Sequence, residues 1–532
     1  MSSLLKLRRG SALAHTAFIG SEGETTYATD THELVTHDGA TAGGFPGGGF
    51  MPAGIGAVAT TVQAKLRESV SVLDFGAIGD GVTDDTAAIQ AALISGASTV
   101  VIRNSHFISY TLAIPSGVTI LGHGGVLIAS TAAWPRYEAM ALAVEKGGFT
   151  ASVKPMLSNT APAAGNTNIY VYGLKLIGNL TGPNHLINFR KVTGLKIVDV
   201  ETYEGLSAIA VLKSTDVFIS RNKIVGFRNG GIDTWEGNKS VVISDNLING
   251  VGPNLDGSNI GIFVTSQPTD STDSLVYSAE DYTVTGNIIN DTQNAGIWVG
   301  GGASTRADYA KNILISDNIV IRAGANGILV SGGIGVTVSG NSISDVALSG
   351  ILVVKLATPT PSISQVSIIG NRITNANTSI GTGRGIDLDL SVNDVIVTGN
   401  QVTGSLHQWA FRNRGTNSRV HHYGNSFSAG TSGTYEDLGI SSVTRSVPAK
   451  LFTTTWDAPS VANSAQVSTT VAASGAVIGD VVLLSVAGIF SGMRIWGEVS
   501  AADIVTLYLA NNTGGAVDPS NRTINIRVEK FA

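Results

Sequence analysis

Val336-Thr337-Val338-Ser339-Gly340-Asn341-Ser342-Ile343 is one copy of the phrase apolar-x-apolar-x-x-Asn-x-apolar, and this phrase decides the fold. Its Asn recurs at positions 222, 246, 287, 318, 341, 371 and 400, with successive spacings of 24, 41, 31, 23, 30 and 29 residues. A second phrase follows each Asn: Gly231-Ile232, Gly261-Ile262, Gly296-Ile297, Gly327-Ile328, Gly350-Ile351, Gly385-Ile386 and the variant Ala410-Phe411. In four of the seven copies it begins nine residues after the Asn. A fixed offset inside a variable period describes a rigid two-strand corner whose length variation is expelled into loops, which is the pattern of a solenoid. One turn of about 23 residues supplies three short strands and three bends, and stacking sets each strand beside its equivalent at roughly 4.8 Å. The region from about Leu174 to Asn425 is therefore expected to be an elongated parallel β-helix. The Asn column is expected to be structural, each Asn taking the left-handed conformation at a bend and bonding to the Asn of the next turn.

Working outward, weaker turns extend the array. Ile187, Ile209 and Ile232 lie 22 and 23 residues apart, and Thr99 to Ser109 and Val118 to Ile128 read as earlier strands, so the coil is expected over 98–440. Its open N-terminal edge needs a cover. Asp84 to Leu93 is the one clear helical pattern, and Asp84 and Asp85 are expected in its first turn, where they suit the helix dipole. Gly43-Gly44-Phe45-Pro46-Gly47-Gly48-Gly49 and Pro52 read as a hinge. Past Ser441, Ser442 and Pro448, alternation in Thr506-Leu507-Tyr508-Leu509 and Thr523-Ile524-Asn525-Ile526-Arg527-Val528 fits antiparallel strands.

The composition agrees with this organisation. Among 532 residues there are 65 Gly, 43% are hydrophobic and only 14% charged, which suits many short strands and tight turns. A net charge of −6 offers no basic field for phosphates, so nucleic acid is not an expected partner and a carbohydrate fits better. With no cysteine, neither a disulfide framework nor a thiolate metal site is possible, and no cofactor or metal is expected. At the start, Lys6, Arg8 and Arg9 follow a very short apolar stretch, the wrong order for a signal peptide. Val481 to Phe490, the longest apolar run, is too short to span a bilayer, so membrane insertion is not expected and the run reads as a buried strand pair.

If the Ile of each Gly-Ile phrase points inward, residues one and three places later point outward on one long face. In order these are Asn188 and Arg190, Ala210 and Leu212, Asp233 and Trp235, Phe263 and Thr265, Trp298 and Gly300, Leu329 and Ser331, Leu352 and Val354, Asp387 and Asp389, then Arg412 and Arg414. Two patches are candidate sites. In the first, Asp233 and Glu236 are candidate catalytic acids, with Trp235, Phe263 and Trp298 as exposed rings on which sugar faces could stack. In the second, Asp387 and Asp389 lie beside Arg412 and Arg414. Carboxylates two residues apart on a strand are roughly 6.5–7 Å apart, near the low end of the inverting-glycosidase range. The plainer alternatives are rings packed under the insertions at 266–281 and 301–311, and an ion-pair cluster. An Arg beside a base would also suit β-elimination at a uronate. Exposed Leu329, Leu352 and Val354 would need a covering surface.

Ser71-Val72-Leu73-Asp74-Phe75-Gly76-Ala77-Ile78-Gly79-Asp80-Gly81-Val82-Thr83-Asp84-Asp85-Thr86 resembles the entry motif of the pectate-lyase-like right-handed β-helix superfamily. The resemblance implies that Asp80, Asp84 and Asp85 shape the capping turn and are not catalytic. The plant-type polygalacturonase signatures Asn-Thr-Asp, Ser-His-Gly and Arg-Ile-Lys are missing, so that hydrolase site is not carried over. Leu7-Arg8-Arg9-Gly10 through Val35-Thr36-His37-Asp38-Gly39-Ala40-Thr41-Ala42-Gly43-Gly44 resembles the attachment module of bacteriophage tail fibres and tailspikes. Trp456-Asp457-Ala458-Pro459 through Arg522 to Val528 is similar to a β-sandwich at the ends of phage tail proteins. These resemblances imply an all-β tailspike or tail fibre: attachment module and linker 1–56, neck and capping helix 57–97, right-handed parallel β-helix 98–440, and C-terminal β-sandwich 441–532 for trimerisation or glycan binding. They further imply a homotrimer on the virion, joined to a tail or baseplate protein through its N-terminus, that binds bacterial surface polysaccharide (capsule, exopolysaccharide or O-antigen). Its expected activity is depolymerisation, by hydrolysis more than by elimination. The alternatives are a non-catalytic receptor-binding fibre and, less favoured, a secreted pectinolytic enzyme.

Overall fold

The computed structural model describes residues 6–130, 155–179, 185–250, 259–266, 278–300, 309–355, 363–379, 382–438, 443–444, 450–486 and 493–529, apart from single positions 48, 51, 59 and 416. The chain forms two units, Met1–Thr283 with Asn287–Gln293 and Val284–Gly286 with Asn294–Ala532, each described by itself.

The first unit begins with a small sheet of strands Arg8–Gly10, Thr25–Ala28, Glu33–Thr36 and Phe45–Pro46. Inside it the Thr26 hydroxyl lies 2.8 Å from His15 Nε2 and 3.0 Å from His37 Nε2, with all three side chains buried. The stretch expected as a hinge is partly structured here. Phe45–Pro46 pairs with Val35 and Thr36, and Gly49–Phe50 pairs with Thr60–Thr61.

From Ser69 the chain coils. Each turn lays down a strand before the corner, a strand after it, and a third strand carrying the Gly-Ile phrase, and each pairs in parallel with its equivalent one turn on. Parallel pairing starts earlier than residue 98. Ser69–Ser71 already pairs with Thr99–Val101, and Asp80–Asp84 with Ser105–Ile108. The inward positions stack in register: Ile187, Ile209, Ile232 and Ile262 share one row and are fully buried. Full burial stabilises by roughly 1.5–3 kcal/mol per Ile. In the second unit Ile297, Ile328, Ile351, Ile386 and Phe411 form an equivalent row. Gly precedes Ile because the next turn passes so close: a Cβ on Gly350 would sit 2.7 Å from the Gly385 carbonyl oxygen and 2.5 Å from Ile373 Cγ2.

The Asn column is a ladder of hydrogen bonds. Asn222 donates from Nδ2 to Asn246 Oδ1 and Asn246 to Asn287 in the first unit. Asn318, Asn341, Asn371 and Asn400 donate in turn as far as Asn425 in the second, every bond between 2.9 and 3.0 Å. Each Nδ2 also donates to a carbonyl of the preceding turn, as Asn341 does to Ile315. The expected left-handed Asn is corrected in one respect. The left-handed residue is the one before it: Arg221, Asp245, Gly286, Asp317, Gly340, Gly370, Gly399 and Gly424, with φ between 54° and 67°. Bending the backbone there leaves the Asn amide free to point into the column.

The helix spans Thr86–Leu93 and buries Ile89 and Leu93. Asp84 and Asp85 do not lie in its first turn, another correction. Asp85 Oδ1 and Oδ2 accept from the backbone N–H groups of Ile78 and Gly79, and Oδ2 also faces His106 Nδ1 at 2.7 Å. Asp84 accepts from the Thr86 N–H and the Ser109 hydroxyl. These carboxylates tie the entry loop to the first turns of the coil. That structural use agrees with the role implied for them by resemblance.

In the second unit two three-stranded antiparallel sheets follow the coil, Lys450–Trp456/Arg522–Glu529/Val481–Val486 and Gln466–Ala472/Ile504–Asn511/Met493–Ala501. They share a core built on Trp456, Val505, Leu507, Leu509, Ile524 and Ile526. Of the apolar run expected to be a buried strand pair, 481–486 form a half-buried strand that alternates with exposed residues; 487–490 and 441–442, with Pro448, lie outside the described residues.

Candidate functional site

The Gly-Ile strands carry both candidate patches, one in each unit. In the first, strand Lys223–Trp235 sets Asp233 beside Ala210 on one side and Phe263 on the other. Alternation directs Asp233 away from the Ile core, yet it is only 1% exposed. The side chain folds back over Gly230, where a Cβ would meet Asp233 Oδ1 at 1.8 Å, and accepts a 2.5 Å hydrogen bond from the Ser207 hydroxyl. Gly230 and Ser207 are register partners on adjacent turns. Together they make a niche for one carboxyl group. No cation pairs with Asp233 among the described residues, and burial pushes it up to about 7, with the Ser207 hydrogen bond opposing.

Glu236, three residues on, has a different environment. It has φ +59° at the end of the strand and is buried between cations: Arg190 Nε and Nη2 donate to its Oε2 at 3.2 and 3.0 Å, and Lys213 Nζ stands 3.6 Å away. The Trp235 and Phe263 rings pack edge to face at 5.1 Å. The expected row of exposed rings needs correction here. Phe263 is buried and only Trp235 keeps an accessible part. Trp298 belongs to the second unit, where it is half-buried with its indole N–H donating to Ser331 Oγ at 2.7 Å. Most of the insertions at 266–281 and 301–311 lie outside the described residues.

In the second unit, Asp387 and Arg412 are register partners. Arg412 Nε and Nη2 donate to the two oxygens of Asp387 at 2.6 Å each, with both residues buried. Burial pushes Asp387 above the usual carboxylate range, against the pull of Arg412 and Arg384. Asp389 pairs with Arg414 at 3.0 Å nearer the surface. The two aspartates thus form two rungs of ion pairs rather than an open carboxylate pair. Leu329, expected to be exposed, is buried within the single chain, while Leu352 and Val354 are half-buried.

Sequence reasoning missed Ser207, Gly230, Lys213 and Arg384. Ser207 and Gly230 precede the inward Ile, on the side of the phrase that the outward map ignored, and Arg384 stands in the bend before Gly385. Among the described residues no group of His, Asp and Glu could hold a metal ion, and no helix is long and apolar enough to cross a membrane.

Comparison with known proteins bears on both fold and setting. Residues 164–342 and 271–427 match the family described as the right handed beta helix region. Residues 69–146 match the pectate lyase-like rhamnogalacturonase A/epimerase family, and 5–41 match the major tropism determinant N-terminal domain. A tail spike protein of Shigella phage Sf6 is 42% identical over 78 residues, which is 13% of this chain and 12% of that one. Two mutant tailspike proteins of E. coli bacteriophage HK620, one of them in complex with a pentasaccharide, each have a TM-score of 0.50 at 12% identity, covering 90% of this chain and 97% of theirs. The chain is a right-handed parallel β-helix protein of the pectate-lyase-like class. The sequence likeness to a bacteriophage tail spike protein is carried by 78 residues, so the chain spans only about an eighth of that relative's length.

Proposed function

We infer that the outer face of the Gly-Ile strands binds bacterial surface polysaccharide, in the form of capsule, exopolysaccharide or O-antigen, and that the protein depolymerises it. The observation that carries this reading is Asp233. A buried carboxyl group pushed up to about 7 holds its proton near neutral pH, one requirement for a general acid that protonates a glycosidic oxygen; the other, reach, needs the Asp233 side chain to swing out of its niche. Glu236, lying between Arg190 and Lys213, is the second carboxylate of the patch. Trp235 offers the ring on which a sugar face would stack. Hydrolysis is favoured over β-elimination because the first patch pairs a proton donor with a carboxylate. In keeping with the likeness to tailspikes, the protein acts as a homotrimer fixed to a tail or baseplate protein through its N-terminal module.

The second patch favours a binding role, since both oxygens of Asp387 are already engaged by Arg412. Release of reducing ends from the polysaccharide of an adsorbing host tests the reading. Asp233→Asn is expected to lower that release by about 10²–10⁴-fold while adsorption persists. Adsorption with no release from any accepted host glycan would leave a receptor-binding fibre without catalysis, and products absorbing as unsaturated uronates would replace hydrolysis by elimination.

A further inference from the structure

Arg384 stands in the bend one residue before Gly385, and its side chain is 16% exposed. Its neighbours explain why it is not simply a third rung in the ion-pair ladder. Nη1 donates to the Thr382 carbonyl and stands 3.9 Å from Asp387 Oδ2. Asp387 accepts it no more closely, since Arg412 already holds both Asp387 oxygens. The Nε of Arg384 is buried without an acceptor among the described residues, and Nη2 likewise has none. Those two atoms form the side-on fork of a guanidinium, the same pair with which Arg412 grips Asp387. A buried N–H without an acceptor is costly, so a fork kept in this state points to an occupant. Desolvation also weakens the hold of Arg384 on its proton, which an arriving anion would restore.

We propose that the Arg384 fork is a carboxylate site that takes the acid group of a uronic or otherwise carboxylated sugar in the glycan bound by this face. The assignment rests on the glycan-binding reading and narrows the ligand to an acidic polysaccharide. A carboxylate matches both the planar spacing of the fork and its charge, whereas a sugar hydroxyl matches at most the hydrogen bonds. The surrounding acids leave room for it. Asp387 is neutralised by Arg412 and Asp389 by Arg414, while half-buried Glu436 acts on Arg384 less strongly than Asp387 or the two arginines.

The test is saturation-transfer NMR on the full chain with D-glucuronate, D-galacturonate and D-glucose as probes. A single sugar of this size is expected to bind at about 1–10 mM. Transfer should reach at least one uronate and not glucose, and Arg384→Gln should weaken the uronate about tenfold or more with its circular dichroism and Tm unchanged. Arg384→Lys keeps the charge without the fork, so it should also weaken binding, and it carries the test if Arg384→Gln fails to fold. Equal transfer to wild type and variant, transfer to glucose as strong as to the uronates, or none to either uronate overturns the proposal. These outcomes are independent of host adsorption, whose absence would instead count against the glycan-binding reading itself.

Discussion

Asp233→Asn should make the protein more stable while removing its proposed acid. In the folded chain Asp233 is pushed up to about 7 from an ordinary value of 3.8. Below 3.8 both folded and unfolded states hold the proton and the niche costs nothing in linkage. Between 3.8 and about 7 the unfolded chain releases the proton while the folded chain keeps it, so stability falls as pH rises. Above 7 the loss is complete, and at ~1.36 kcal/mol per pH unit it amounts to about 4 kcal/mol. Asn carries no charge and keeps an oxygen that can accept from Ser207, so the variant escapes the loss. At ~2.1 cal/mol/K per residue over the roughly 300 described residues of the coil, 4 kcal/mol corresponds to about 6 °C in Tm. The assay is thermal unfolding of both proteins across pH 4–9 (a range of roughly the two Asp233 values), with unfolding rates measured at fixed temperature if the transition is irreversible. The two curves should converge at the acid end and separate towards neutrality. A variant that is no more stable than wild type at pH of about 8 would refute the neutral buried carboxyl and with it the general-acid assignment.

Two other substitutions probe the scaffold and the second patch. Asn341→Ala should cost about 4 kcal/mol, because inside the column it removes the acceptor of the Asn318 backbone N–H and of one Asn318 amide hydrogen, together with the amide donor to the Ile315 carbonyl; denaturant unfolding checks it, and a loss under ~1 kcal/mol would count against the ladder. Asp387→Asn should behave oppositely to Asp233→Asn, destabilising by about 3–5 kcal/mol by leaving Arg412 buried without its partner. Asp387→Asn combined with Arg412→Met should recover part of that loss, and a double-mutant cycle with no coupling would contradict the pair.

How much of this was legible in the sequence follows from what repeats. The Asn phrase and the Gly-Ile phrase recur because every turn faces the same neighbours, so coil, column and inward row can be read from one dimension. Left-handed corners were misplaced by one residue because Asn and Gly both tolerate that conformation, and the alternation of Arg221, Asp245 and Asp317 with glycines at the preceding position was the signal that would have corrected it. The candidate site was less legible. Alternation gives direction, not exposure, and Asp233, Phe263 and Leu329 point away from the Ile row yet are covered. Arg384 occurs once, in a bend of variable length, and no periodic argument reaches it.

The parallel register explains why similar aspartates that follow the Gly-Ile phrase, one in each unit, have different chemistry. Residues at one register position lie about 4.8 Å apart on neighbouring turns, so the side chain there decides whether an acid is neutralised by a cation or by its own proton. Asp387 has Arg412 at that position and becomes a structural ion pair. Asp233 has Ala210 and Phe263, neither of which carries charge, and the Ser207 hydroxyl in the niche can stabilise either protonation state. A cation placed opposite Asp233 would therefore convert one patch into the other. Ala210→Arg, if accommodated, should pull the Asp233 carboxyl back towards the ordinary carboxylate range and suppress proton donation at neutral pH while leaving the inward Ile209 row untouched.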